Sequence, residues 1–176
     1  MKDLKVIIGE LVAEASRKGI CGEWKEMMRE ATSLDALVQL YVRGIDFCVN
    51  RHFPSLEYME AHFKGVCERY GVYVNERAEV KNARRGVFVG RTTGTAVYDG
   101  YEVAVLYVKD EAEMEVVADE HSIVTMDCFD RSKVTVKAKN GAKVTVNLYG
   151  SAVVEYACDG SSEVKVVRKF KDTYEL

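Results

Sequence analysis

The sequence predicts an α+β protein, with an all-α N-terminal region capping a C-terminal parallel β-solenoid of about 20 residues per coil and two strands per turn. The expected boundaries are residues 1–74 for the helical domain, 75–86 for a linker and 87–176 for the β-repeat domain. Three observations predict this: helical periodicity that stops near residue 70, a gapless ten-residue repeat from Glu111 to Phe170, and charges that match in sign twenty residues apart.

In the helical part, Leu4, Ile7, Ile8, Leu11, Val12 and Ala15 recur at the 3.6-residue period of one helix face. Lys18-Gly19-Ile20 follows with a glycine C-cap and an apolar residue. A short second helix carries Trp24, Met27, Met28 and Ala31. Thr32 and Ser33 are N-cap candidates for a third helix, with Asp35 in its first turn. That helix is expected to run unbroken through Leu34, Leu37, Val38, Tyr41, Ile45 and Cys48. Phe53-Pro54-Ser55 breaks the chain, and a fourth helix follows with Leu56, Met59, Phe63, Val66, Cys67 and Tyr70, ended by Gly71. Val72-Tyr73-Val74 is too short to type, and the polar stretch from Asn75 to Arg85 reads as the connection.

Six decapeptides then follow. The second residue of each is small: Ala112, Ser122, Ser132, Ala142, Ala152 and Ser162. The fourth and sixth are apolar and the fifth is polar, which is the period-two pattern of a β-strand. Turn residues fall at the junctions, as in Asn140-Gly141 and Gly150-Ser151. Asn-Gly by itself suggests a two-residue hairpin. Such a hairpin flips the inward parity at every turn, whereas the small and apolar positions stay on even numbers through all six repeats. The alternative architecture, an antiparallel meander or sandwich, needs a three-residue loop each time. A solenoid needs only a corner that keeps parity.

Stacking residue i on i+20 brings Glu111 to Arg131, Glu113 to Lys133, Asp119 to Lys139, Lys139 to Asp159 and Lys143 to Glu163. Every pair is opposite in sign, whereas an offset of ten sets Lys133 over Lys143 and an offset of thirty sets Lys139 over Lys169. Neighbouring-strand charges are worth about 0.2–1 kcal/mol each, so the sign pattern selects the geometry without dominating the stability. Counted from Arg91, the repeats predict four coils, about 20 Å tall. Solenoid ends expose strand edges and need caps. The helices are expected to cap the first rung, and Phe170 to Tyr174 to fold over the last. If that segment does not cover it, the end is a natural dimer interface.

Composition narrows the function classes. Lys and Arg total 25 against 28 for Asp and Glu, spread evenly over both halves. Neither half carries the basic footprint of a nucleic-acid binder. No apolar run approaches the ~20 residues of a membrane span. The five cysteines form no Cys-x-x-Cys pair and no even set, which favours a reduced, cytoplasmic protein over a disulfide or zinc framework.

No motif with catalytic spacing stands out. Cys48 and His52 sit four apart, but a metal site wants three or four converging ligands. They read as a buried thiol and a histidine at a helix end. Cys128 and Cys158 share an inward parity and read as core residues. His121 is a turn residue without a partner acid. Arg84, Arg85 and Arg91 are candidates to contact an anion where the two halves meet. Thr125 and Thr145 in one column, and Phe129 and Tyr149 in another, are candidates for an exposed sugar- or protein-binding face. No cofactor and no metal are expected.

The stretches Ala31 to Leu37, Tyr41 to Cys48, Phe53 to Tyr58 and Tyr70 to Val74 resemble a group of uncharacterised bacterial proteins that join a short helical start to a β-repeat tail. The resemblance implies that architecture and a bacterial or phage source, and no activity. The decapeptides are also similar to bactofilin-type scaffolds, and depart from the six-residue repeat of acyltransferase solenoids. The expected function is a non-enzymatic structural or protein-interaction module, acting through a solenoid face or end on a protein partner or on itself. The alternatives are a small inhibitor of host machinery, or a carbohydrate-binding or enzymatic module around Arg84, Arg85, Arg91 and His121.

Overall fold

The computed structural model describes residues 3–175. The chain forms two compact units, Met1–Tyr70 with the last residues from Tyr174, and Gly71–Thr173. The first contains helices α1 (Leu4–Arg17), α2 (Gly22–Arg29), α3 (Leu34–Arg43), α4 (Ile45–Arg51) and α5 (Leu56–His62), then a 3₁₀ turn at Cys67–Tyr70.

Local chemistry sets the helix ends. Asp3 caps α1 by accepting from the Lys5 N–H, Ser33 caps α3 through Ala36 and Ser55 caps α5 through Tyr58. Of the two candidate caps at 32 and 33, Ser33 is the one used. The expected third helix is broken at Gly44 into α3 and α4. A Cβ at Gly44 would lie 3.2 Å from the Trp24 ring, so packing against α2 favours glycine at this break. Lys18 Nζ donates to the Arg51 and His52 carbonyls at 2.7 and 3.0 Å, satisfying the C-terminal end of α4.

The second unit is a parallel β-solenoid. Strands β1 (Val72–Val74), β3 (Arg85–Val89), β5 (Val103–Val108), β7 (Ile123–Cys128), β9 (Lys143–Leu148) and β11 (Glu163–Arg168) form one sheet. Strands β2 (Arg77–Lys81), β4 (Thr93–Tyr98), β6 (Glu113–Ala118), β8 (Lys133–Ala138) and β10 (Val153–Cys158) form the facing sheet. Residue i pairs with i+20 from Arg85 on Val105 through Lys143 on Glu163. The parallel pairing excludes the meander. The stretch 75–86, expected to be a linker, contains β2 and the start of β3, and even the short Val72–Val74 segment pairs in parallel with β3. The repeat pattern fails there because the first turn is short: Val72 pairs with Val87 and Arg77 with Thr93, fifteen and sixteen residues on. The stack therefore has one more turn than the decapeptides predict, and is about 24 Å tall along its six-stranded sheet.

Even-numbered residues of both sheets meet in one core, among them Leu106, Met126, Val136 and Val146. The corners explain the small second position. Ala112, Ser122, Ser132, Ala142 and Ala152 are wholly buried, each donating its N–H back across a four-residue turn. Asp110, Glu120, Asp130, Asn140 and Gly150 in these turns have positive φ. Corner amides outside the ladder find acceptors on the next coil: Gly90 N–H on Asp110, Asp110 N–H on Asp130, and Asn140 N–H on Asp159. Asn140-Gly141 thus serves as a solenoid corner, and Gly141 is required, since a Cβ there would meet the His121 ring at 2.4 Å.

Candidate functional site

The solenoid separates several residues that the sequence groups together. Arg84 and Arg85 lie at the corner entering β3, and Arg91 at the corner leaving it. The intervening strand holds them roughly 20 Å apart along the chain, so the three do not converge on one anion. Arg91 instead joins an alternating charge surface with Glu111, Arg131, Glu113 and Lys133.

Phe129 and Tyr149 are not an exposed face. Their rings stack at 4.7 Å and are 1% and 5% exposed. The strand alternation that predicts exposure does not extend to position nine, where the chain leaves the strand and the side chain is turned by the corner. Thr125 and Thr145 do pair in one outward column, with Lys165 next in line. They are half-buried on a flat strand surface. Phe88, Val87 and Val89 are all buried, so the outward side of β3 is covered as well as its inward side.

Cys48 is a buried thiol. Burial, with Asp46 second, pushes the Cys48 thiol up, away from the thiolate a nucleophile requires. His52 is the left-handed C-cap of α4. His121 stacks on Tyr101 at 5.4 Å. Cys128 is a core residue whose thiol is pushed up to about 12 by burial and then by Asp127. Cys158 has the inward register of Ala138 but is exposed. In the helical unit, a cavity of about 360 Å³ lies between Leu11, Trp24, Met28, Phe47 and Phe63. Its lining is mainly apolar, with Arg43 and Asp46 as its charged members.

The exposure of Cys158 points to the most unusual surface of the solenoid. In every middle rung the inward residues are buried, but in the last they are not: Tyr156 is 53% and Val166 38% exposed, and Val154 and Val164 are half-buried. Phe170, expected to fold over this end, is 90% exposed. Its neighbour Lys171 bonds the Gly150 amide at the side of the corner instead.

Backbone groups compound the effect. Val153, Glu163 and Lys169 donate backward to Ser132, Ala142 and Leu148. By ladder alternation, the N–H and C=O of Val154, Tyr156, Val164 and Val166 point away from the stack. The end thus presents two unpaired strand edges flanking an apolar strip. The sequence carries part of the signal: in the last repeat the inward register ends on a charge, Arg168, where the earlier strand of the same sheet has Leu148. The Arg168 guanidinium donates to the Gly150 and Ala152 carbonyls at one corner, leaving Tyr156 and Val166 exposed.

The opposite end is built differently. Tyr73 lies flat on Phe88, with rings 5.4 Å apart and 9° from parallel, and Ala78 and Val80 are buried. Among the described residues, no helix is long and apolar enough to cross a membrane. Comparison of the chain with protein-family models, with curated proteins and with solved structures returned no match.

Proposed function

We propose that the protein is a non-enzymatic, structural protein-interaction module whose working surface is the C-terminal end of the solenoid. The observation that carries this reading is the last rung, where Tyr156 and Val166 hold core positions and remain exposed beside two open strand edges. Exposed edges are templates for adding a strand, and natural proteins blunt them with prolines, bulges or inward charges. The strands β10 and β11 contain no proline, and their inward residues Val154, Tyr156, Cys158, Val164 and Val166 are uncharged. The inward-register charge at the end of β11, Arg168, donates to the Gly150 and Ala152 carbonyls at the corner and leaves the rest of the edge open. A partner that adds strands here gains main-chain hydrogen bonds and continues the core, which is recognition by β-augmentation. The even spread of positive and negative charge over the chain favours a protein partner over a polyanion.

A photo-cross-linking residue placed at Tyr156 in cells tests this, with the same residue at Tyr101 as the control. Tyr101 is more exposed, at 84%, but sits on a solenoid corner. The reading expects protein adducts at 156 and few at 101. No adduct at 156, or adducts concentrated at 101, would overturn it.

A further inference from the structure

We infer that the occupant of the open end is a second copy of this chain, docked tail to tail about a two-fold axis with β11 antiparallel to the second copy's β10. This rests on the reading that the end is the working surface, and adds the partner and the register. Each corner reverses the chain, so β10 and β11 run in opposite directions on facing sheets. Two solenoid ends brought together by a two-fold axis can therefore pair only in antiparallel fashion. The choice lies among β11 on β11, β10 on β10, and β11 on β10.

The outward charges and the inward residues together decide among these. With β11 centred on its own copy, Lys165 faces Lys165; centring it on Val164 or Val166 instead separates the lysines but sets a core valine opposite Ser162 or Arg168. With β10 on its own copy, Glu155 faces Glu155. With β11 on β10, one register sets Lys165 opposite the second copy's Glu155 and Val167 opposite its Val153. The same register sets Val164 opposite Tyr156 and Val166 opposite Val154, so the exposed inward side chains cover one another. These even-numbered residues are also the ones whose backbone N–H and C=O face the free edge, so they form the hydrogen-bonded pairs of the new ladder. Shifting by two residues in either direction sets Glu163 opposite Glu155 or Asp159. Like charges directly opposite are destabilising. One register therefore satisfies charge, core and backbone together.

The symmetry limits the assembly to a pair. Head-to-tail growth into a filament needs an exposed first turn, and there Ala78 and Val80 are buried and Tyr73 covers Phe88. An isologous contact closes on itself. The contact area is that of one rung, small for a protein interface, so affinity in roughly the micromolar range is expected.

The test is the solution mass of the full chain, measured by sedimentation over roughly 1–300 µM, a range chosen to bracket that affinity. A monomer–dimer equilibrium is expected. Glu155→Lys and Lys165→Glu should each weaken it roughly tenfold or more, since symmetry doubles every like-charge contact. The double reversal should restore it. Residues 155 and 165 lie outward on opposite sheets of one chain, so such rescue arises only between copies. Both positions are exposed, and circular dichroism checks that each variant folds. In a second experiment, with Cys21 and Cys158 replaced by Ser, the pair Glu155→Cys with Lys165→Cys should form a disulfide-linked dimer, and Lys165→Cys alone should not. A monomer at the highest concentration, an open-ended polymer, failure of the double reversal to rescue, or a dimer cross-linked by Lys165→Cys alone would each overturn the inference. A monomer whose Tyr156 position cross-links to a different protein would overturn the two-fold dimer while leaving the interaction-module reading standing.

Discussion

In the first turn of the solenoid, Tyr73 lies on Phe88, and Ala78 and Val80 are buried. In the last, Tyr156, Cys158 and Val166 occupy the same inward positions and face outward from the stack. The turns differ in sequence as much as in state. The first is fifteen or sixteen residues around and lies outside the decapeptide pattern, while the last keeps the twenty-residue register through Glu163 on Lys143. Repetition aligns strands but cannot terminate a stack, because a repeated rung offers its successor the same unsatisfied edge it filled itself. Closing an end takes residues that break the pattern, here an aromatic ring and a shortened turn.

The largest expected effect separates the two ends directly. Phe88→Ala removes a fully buried ring and should cost about 3–5 kcal/mol in urea unfolding. Val166→Ala on the last rung should cost less than about 1 kcal/mol in the monomer, because that side chain is 38% exposed. Equal losses would break the distinction between a closed and an open end.

Gly94→Ala comes next. Gly94 has φ +149°, and a Cβ would fall 1.8 Å from the Ala78 carbonyl of the short first turn. A loss of about 2–3 kcal/mol is expected, and an unchanged urea midpoint would mean that β2 and β4 can part without cost. Smaller, and of opposite sign, is the effect at the buried middle corners. The hydroxyls of Ser122 and Ser132 have no hydrogen-bond partner, and alanine already fills the equivalent positions 112, 142 and 152. Ser122→Ala and Ser132→Ala should each gain up to about 1 kcal/mol, and a loss would reveal a partner for the hydroxyl.

The outward ion pairs sharpen the comparison further. Glu113 and Lys133 meet at 2.7 Å on the exposed surface. Glu113→Lys and Lys133→Glu should each destabilise by about 0.2–1 kcal/mol, with partial recovery in the double swap. Strictly additive losses would mean that the twenty-residue register contributes nothing through charge.

The smallest effect is that of the corner carboxylates, present at neutral pH and lost on acidification. Asp159 is held below the ordinary carboxylate value of 3.8 chiefly by the Asn140 backbone N–H, with Ser161 and Ser162 adding to it. The Lys139 and Asn140 side chains lower Asp119, and those of Asn82 and Lys81 lower Asp99. A depressed folded value contributes stability above the ordinary value, and that contribution is lost as pH falls through the folded one. Urea midpoints should therefore hold from pH 7 to about 5 and then decline. Asp159→Asn should flatten part of that decline, and an unchanged acid profile would show that the last corner is not held by its carboxylate.

Parity and charge carried most of the fold in the sequence alone. Even-numbered small and apolar residues from Ala112 to Val166 determined strands and inward faces, because a strand's side chains alternate whatever surrounds them. The offset of opposite charges determined the twenty-residue coil, because stacked side chains lie one ladder spacing apart. Tertiary structure alone decided four matters. The expected third helix breaks at Gly44, where the Trp24 ring leaves little room for a side chain. Residues 75–86 become strand because the first turn is shorter than the repeat, which no internal period can announce. Phe129 and Tyr149 are buried because a corner turns side chains that a straight strand would expose. The last rung is open because Phe170 and its neighbours do not lie across it. Each depends on contacts between residues far apart in the chain or on the path of a corner, and local pattern records neither.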